Sequence, residues 1–255
     1  MNICVDVGNT LVKIGIFNEN VLLKTLSFKT DTNKSEDELD FIITSLLKKN
    51  DVEYDKNTHI ILSSVVPSLN VPLKNVLTNI FGDNFLHLGP GVKTGIAMKV
   101  DNPNEVGSDL IADMVGAKNK YGKPTIVVDL GTATKVLLLD KDGFFSAASI
   151  APGLIISGAT LSNNGEMLPT VSIEVPKKVL GRNTIDAMNS GIVYGHLEMI
   201  EGLVRRFEDE LGYKCKKVLT GGNANYLKTL INKDFIVDFD IAVEGLNFIL
   251  NKNIG

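Results

Sequence analysis

Two short segments of the chain combine the residue types that suit binding of phosphate groups and a metal ion. Asp6–Thr10 has the pattern Asp-x-Gly-x-Thr, and Asp129–Thr134 has the pattern Asp-x-Gly-Thr-x-Thr, each after an apolar run. Backbone N–H groups in a glycine turn can point at phosphate oxygens, and a carboxylate at a strand end can hold Mg²⁺ through water. We call these segments the first and second aspartate turns.

One such turn alone would be explained as an ordinary Asp/Gly hairpin. The two aspartates are 123 residues apart (129 minus 6), about half of the 255-residue chain, and both follow similar strands. The repetition therefore predicts a duplicated architecture with a phosphate-binding cleft between its halves.

Residues close to these turns have structural explanations that compete with functional ones. Lys13 alternates with apolar residues on a strand, which is typical of a solvated strand face, and Lys135 has the same interpretation. Thr220–Ala224 contains two glycines at a strand–helix junction, which permit close approach to a nucleotide base or ribose. A tight strand–helix turn explains that segment equally well.

The elements that position the turns follow from hydrophobic periodicity, and the two halves have the same plan. The first half has strands near 2–7, 11–17 and 21–28, a helix near 39–47, a strand over 59–66 and a helix near 70–81. The second has strands at 125–129, 133–139 and 143–149, then helices near 153–163 and 184–210. A strand at 216–220, a helix near 223–231, a strand near 235–238 and a helix near 240–251 follow.

This order of elements predicts an α/β protein made of two βββαβα domains, over residues 1–115 and 116–255. A helix begins near Leu110, so Asp109 is either a functional acid or an acid favoured by the helix macrodipole. The net charge of −4 gives no electrostatic reason to expect nucleic acid or an anionic membrane as partner. Two cysteines and no long apolar run predict a cytoplasmic protein without disulfides.

With these elements in order, the chain resembles the type III pantothenate kinases of the acetate and sugar kinase, chaperone ATPase and actin superfamily. The resemblance covers almost the full length. Besides the two aspartate turns, the matching segments are Ser63–Pro67, Pro90–Gly95, Asp101–Pro103, Gly107–Asp109, Ala151–Gly153, Gly181–Thr184 and Gly221–Gly222.

The resemblance implies an actin-like (ribonuclease H-like) fold and ATP-dependent phosphorylation of pantothenate, the first committed step toward coenzyme A. It implies that Asp109 is the general base and that Asp129 coordinates a monovalent cation, K⁺ or NH₄⁺. It also implies Mg²⁺ with the nucleotide, and a homodimer. The implied ATP-binding residues are Asp6, Val7, Gly8, Asn9, Thr10, Leu11, Val12, Lys13 and Thr132. The implied pantothenate-binding residues are Gly107, Ser108, Asp109, Leu110 and Thr184.

Three positions depart from the family pattern. Leu110 stands where an arginine is usual, Val100 where a tyrosine is frequent, and Lys135 where a neutral residue is more usual and where it adds positive charge. These departures leave two alternatives beside a pantothenate kinase. One is a non-catalytic regulator that binds nucleotide or pantothenate, and the other is a small-molecule kinase with a different acceptor.

Overall fold

The computed structural model describes residues 1–254 and has two compact units. The first contains Met1–Lys120 and the chain from Asp240 onward, and the second contains Tyr121–Phe239. The last helix of the chain therefore returns to the first unit. The division into domains 1–115 and 116–255 concerns duplicated halves of the sequence, and it stays a prediction.

The first unit has one sheet with the strand order β3-β2-β1-β4-β5. The pairs β1/β2 and β2/β3 are antiparallel, and β1/β4 and β4/β5 are parallel. The strands of this sheet are β1 (Asn2–Val7), β2 (Leu11–Asn18), β3 (Val21–Lys29), β4 (His59–Ser64) and β5 (Phe85–His87), and the two-residue β6 (Ala97–Met98) belongs to the unit but not to this sheet. The helices are α1 (Glu36–Lys49), α2 (Asn70–Phe81), α3 (Ser108–Lys120) and, at the end of the chain, α6 (Ile241–Ile254).

The second unit repeats this arrangement, with five strands in the order β11-β10-β7-β8-β9. Here β7/β8 and β8/β9 are antiparallel, while β7/β10 and β10/β11 are parallel. The elements are β7 (Thr125–Leu130), β8 (Ala133–Leu139), β9 (Phe144–Pro152), α4 (Leu154–Asn164), α5 (Thr184–Leu211), β10 (Lys216–Thr220) and β11 (Phe235–Val237). The matching strand orders confirm the predicted duplication.

Two predicted elements differ from those observed. The helix predicted near 223–231 is a 3₁₀ helix over Gly222–Tyr226, because its glycine and asparagines are poor helix formers. The strand predicted over 59–66 ends at Ser64, whose hydroxyl accepts a hydrogen bond from the Val66 amide at 3.1 Å and so starts a turn.

Two helices of the first unit, α3 and α6, cross with their backbones in close contact. A Cβ atom on Gly245 would lie 1.9 Å from the Ala112 carbonyl oxygen, and one on Gly116 would lie 2.2 Å from the Ile241 carbonyl oxygen. The side-chain amide of Asn2 on β1 also donates to the Asn247 side chain of α6 at 2.8 Å. Because α3 begins at Ser108, this contact fixes the helix that carries Asp109.

We predict that Gly245→Ala destabilises the protein by about 3 kcal/mol, because overpacking of this size cannot be relieved without moving backbone. Gly89→Ala is the matched control, since a Cβ atom there meets nothing within 4 Å. Urea unfolding followed by circular dichroism measures both variants. Equal unfolding midpoints for the two variants would contradict the close crossing of α3 and α6.

Candidate active site

The first aspartate turn connects β1 to β2. The Gly8 amide donates to the Leu11 carbonyl at 3.0 Å and closes the turn. Thr30, at the end of β3, holds it from the side, because its hydroxyl donates to the Gly8 carbonyl at 2.7 Å and its amide to the Thr10 carbonyl at 3.0 Å. The side chains of Asn9 and Thr10 are exposed. A rigid turn therefore presents polar side chains at its surface.

Asp6 and Lys13 belong to the same hairpin and are directly opposite each other in the β1/β2 register. Directly opposite residues have their side chains on one face of a sheet. Both side chains are half-buried. The structure thus brings a carboxylate and an ammonium group to one face beside the turn.

Two serines connect the first aspartate turn to Asp109. Asp6 is paired with Ser63 in the parallel β1/β4 register. The buried Ser63 hydroxyl donates to the Ser108 hydroxyl at 2.9 Å, and Ser108 donates to the Ser64 carbonyl at 3.3 Å. Since parallel strands end at one edge of a sheet, Asp6 and Asp109 lie at the same edge.

Gly107 determines how the Asp109 carboxylate is oriented. A Cβ atom on Gly107 would lie 2.4 Å from Oδ1 of Asp109, so only glycine leaves room for this orientation. The carboxylate therefore lies against the backbone at the start of α3, where the helix dipole favours a negative charge. Ser108, Asp109 and Leu110 are all half-buried.

The second aspartate turn connects β7 to β8, and it contacts the glycine segment that follows β10. Asp129 is paired with the buried Thr220 in the parallel β7/β10 register. Gly221 has a φ of +92°, and a Cβ atom there would lie 2.4 Å from Oδ1 of Asp129. The side-chain amide of Asn223 donates to the Gly131 carbonyl at 2.9 Å. The glycine segment thus supports the aspartate turn directly.

Lys135 forms an ion pair with Asp129. The two residues are directly opposite in the β7/β8 register, and Nζ of Lys135 lies 2.8 Å from Oδ2 of Asp129. Their side chains are 18% and 14% exposed. The prediction that Lys135 belongs to a solvated strand face is therefore wrong, and the signal that would have found the pair is the cross-strand register of the hairpin.

The residues around Asp129 do not fit a free monovalent cation. K⁺ or NH₄⁺ would need the carboxylate as a ligand, but one carboxylate oxygen accepts from the Lys135 ammonium and the other lies against Gly221. A second cation on the same carboxylate would be repelled by that ammonium. Among residues 1–254, no group of three or more His, Cys, Asp or Glu could hold a metal ion.

The remaining predicted residues of the second unit are Thr132 and Thr184. Thr132 is exposed in the second aspartate turn, and its carbonyl accepts from the Gly153 amide at 3.2 Å. Thr184 is the first residue of α5, whose N-cap Asn183 accepts from the Asp186 amide at 2.9 Å. Thr184 is therefore exposed at the positive end of a long helix, where an anion would be stabilised.

His196 on α5 contributes a contact that the sequence did not reveal. Its Nε2 atom is hydrogen-bonded to the hydroxyl of Thr134 at 2.6 Å, and both side chains are buried. Burial lowers the pKa of His196 from its ordinary value. The neutral ring joins the second aspartate turn to the helix that begins at Thr184.

Neither cysteine is suited to act as a nucleophile. Burial raises the pKa of the Cys4 thiol well above its ordinary value. Burial also raises the pKa of Cys215 to about 11, with the nearby Glu208 carboxylate contributing. Both thiols are therefore protonated at neutral pH. The carboxylates described above remain as the candidate reactive groups.

The chain is similar to known proteins over most of its length. A family model described as type III pantothenate kinase matches residues 2–206. A type III pantothenate kinase from Exiguobacterium sibiricum is 36% identical over 253 residues, which cover 99% of this chain and 100% of that protein. None of the helices within residues 1–254 combines the length and apolar character needed to cross a membrane.

Two solved structures share the fold at low identity. One, from Campylobacter jejuni and described as a Baf family transcriptional activator, has a TM-score of 0.63 at 20% identity and covers 99% of this chain and 98% of that one. Component A of the (R)-2-hydroxyglutaryl-CoA dehydratase of Acidaminococcus fermentans has a TM-score of 0.53 at 15% identity, covering 98% and 96%. The chain has the duplicated actin-like α/β fold.

We predict that His196 makes the protein less stable in acid. As the pH falls below about 6.5, the unfolded state binds a proton before the folded state does, because the folded pKa is lower. The free energy of unfolding therefore decreases from about pH 6.5 downward. Between pH 7 and pH 5, the melting temperature of His196→Gln should fall less than that of wild type. His87→Gln, at an exposed histidine, is the control, and its melting temperature should fall as much as that of wild type. Equal changes of melting temperature with pH in wild type and His196→Gln would contradict the role of His196 in the loss of stability in acid.

Proposed function

The chain belongs to the type III pantothenate kinase family, and we propose which of its residues carry out the reaction. It is a kinase that phosphorylates pantothenate with ATP as donor, the first step of coenzyme A biosynthesis. The alternative of a non-catalytic regulator has no support from the family match, because both the family model and the 36% identical relative are described as kinases.

The observation that carries the proposal is the link from Asp6 through Ser63 and Ser108 to Asp109. It holds two carboxylates at one sheet edge. Phosphoryl transfer needs this combination, because one acid must serve the phosphates while another serves the acceptor hydroxyl.

We assign the ATP phosphates to the first aspartate turn and to Thr132 of the second. The residues are Asp6, Val7, Gly8, Asn9, Thr10, Leu11, Val12, Lys13 and Thr132. The rigid turn, the exposed polar side chains and the nearby Lys13 ammonium support this role. Oxygen ligands suit Mg²⁺, so Asp6 would hold the ion that accompanies the nucleotide, and the ion would neutralise phosphate charge.

Asp109 acts as the general base. The pantothenate hydroxyl oxygen attacks the γ-phosphorus of ATP, the bond from that phosphorus to the bridging oxygen breaks, and ADP leaves. The hydroxyl proton passes to the Asp109 carboxylate. Gly107 supports this role, because a glycine at this position has no side chain and so leaves room for the Asp109 carboxylate in its orientation.

The residues that we assign to pantothenate are Gly107, Ser108, Asp109 and Leu110 of the first unit and Thr184 of the second. Leu110 offers an apolar surface where an arginine would supply a charge and five donors. The N-terminus of α5 at Thr184 favours an anion, and pantothenate carries a carboxylate. No step is assigned to a free monovalent cation, since the residues around Asp129 do not fit one.

We also propose that the protein is a cytoplasmic homodimer that associates through α4 and α5. Ile155 and Ile156 on α4 and Ile185 on α5 are large apolar side chains exposed on this unit. Gly191 and Gly195 lie one turn apart on α5, and a Cβ atom on either would meet nothing within 4 Å. A flat helix surface beside apolar side chains is typical of a face that packs against another helix.

Replacing Asp109 by Asn should lower kcat for pantothenate-dependent ADP production by about 10²- to 10⁴-fold, because the base that accepts the hydroxyl proton is lost. The matched control is Asp37→Asn, an acid in the first turn of α1, which tests whether any helix-starting acid has this effect. Circular dichroism and thermal melting check that both variants are folded.

A fully active Asp109→Asn enzyme would remove Asp109 from the mechanism. Absence of pantothenate-dependent turnover in wild type would instead reject the assignment of the acceptor, and a panel of other alcohols would then be tested.

For the homodimer, sedimentation equilibrium of wild type should give twice the mass of the chain. Gly195→Arg should give the mass of the monomer, because the added side chain would lie in the proposed interface. Its circular dichroism spectrum should be unchanged, because within one chain that side chain projects into open space. Asp209→Arg, near the other end of α5, is the control and should stay dimeric. A dimeric Gly195→Arg variant would exclude this face as the interface.

A further inference from the structure

Asp129 of the second aspartate turn binds an ammonium group of the protein itself, that of Lys135. Nζ of Lys135 lies 2.8 Å from Oδ2 of Asp129, and both side chains are mostly buried. Buried ion pairs are screened less by salt than exposed ones. The pair is also fixed by backbone hydrogen bonds, because the two residues are directly opposite in an antiparallel hairpin.

We propose that the Lys135 ammonium takes the place of a free monovalent cation at Asp129, so that this kinase works without K⁺ or NH₄⁺. This inference rests on the proposed function. A lysine side chain ends in an ammonium group with one hydrogen replaced by carbon, so its charge equals that of NH₄⁺. Tethering to β8 keeps it in place at any salt concentration.

The position of the pair explains what the charge would do. Asp129 immediately precedes the turn that contains Thr132, and Gly221 and Asn223 hold this turn from the other side. Without a cation, the Asp129 carboxylate would add a negative charge beside the segment assigned to the phosphates. Lys135 neutralises it, which favours the approach of ATP.

A purely structural ion pair is the competing interpretation, because opposite charges across a hairpin stabilise many sheets. The two interpretations differ in what happens when the lysine is removed. If the ion pair is only structural, removal of Lys135 should lower the stability of the protein and have no other effect. A built-in cation would leave a vacant carboxylate that K⁺ or NH₄⁺ can occupy.

The first experiment compares wild type in tetramethylammonium chloride, which is too large for the site, with wild type in KCl and NH₄Cl. Pantothenate-dependent ADP production should be equal in all three salts. Activity in KCl and NH₄Cl but not in tetramethylammonium chloride would overturn the inference while leaving the proposed function intact. Absence of activity in every salt would instead reject the proposed function on which the inference rests.

The second experiment uses Lys135→Met with Lys217→Met as its matched control. Lys217 is also a strand lysine of this unit, has a side chain 16% exposed and pairs with Glu208 at 3.5 Å. Lys135→Met should be about 100-fold less active in tetramethylammonium chloride than in KCl, the size expected when a charge that stabilises the transition state is lost. Lys217→Met should show no such salt preference.

Cation binding itself gives a readout besides activity. Tl⁺, a K⁺ substitute detectable by ²⁰⁵Tl NMR, should bind saturably to Lys135→Met but not to wild type or Lys217→Met. Saturable Tl⁺ binding to wild type would overturn the inference. So would a folded Lys135→Met variant that is active without K⁺, or one that K⁺ and NH₄⁺ cannot restore.

Discussion

The structure depends on one constraint, which is that a carboxylate at the carboxyl end of a buried strand must be held in place. Asp6 is the last residue but one of β1 and Asp129 the last but one of β7. Each strand is flanked by an antiparallel partner and a parallel partner. The antiparallel partner supplies a lysine opposite the aspartate, Lys13 in one unit and Lys135 in the other. The parallel partner supplies a small polar residue, Ser63 or Thr220. The same three-strand arrangement therefore occurs twice, and each copy supports its own turn.

The two copies differ in the segment that comes after the parallel strand. In the first unit the end of β4 is tied to α3 by the Ser63–Ser108 hydrogen bond, and the first turn of α3 carries the acid assigned to the acceptor hydroxyl. In the second unit Gly221, which has no side chain, comes directly after β10 and lies against Asp129 itself. In the proposed mechanism the reactive carboxylate is Asp109 of the first unit, while Asp129 of the second unit is paired with Lys135.

Most of the fold could be predicted from the sequence, because buried strands and amphipathic helices have distinct periods and the duplication shows in the two turns. The 3₁₀ helix at Gly222–Tyr226 could not, since weak local propensities were overridden by contacts of Asn223 with the second aspartate turn. The acids assigned to the site can be picked out from their sequence segments. Their surroundings cannot, because Lys135 reaches Asp129 through strand register and Ser63 reaches Ser108 through the contact of β4 with α3, and no local pattern displays either. Tertiary contacts of this kind need the pairing of strands to be known first.

The role of Asp109 as the base is tested most directly by a crystal structure with pantothenate and a non-hydrolysable ATP analogue bound together. We predict that the acceptor hydroxyl of pantothenate lies about 2.6–3.2 Å from the Asp109 carboxylate and faces the γ-phosphate. A hydroxyl that faces the γ-phosphate but contacts a different base, with Asp109 turned toward the protein, would contradict this role.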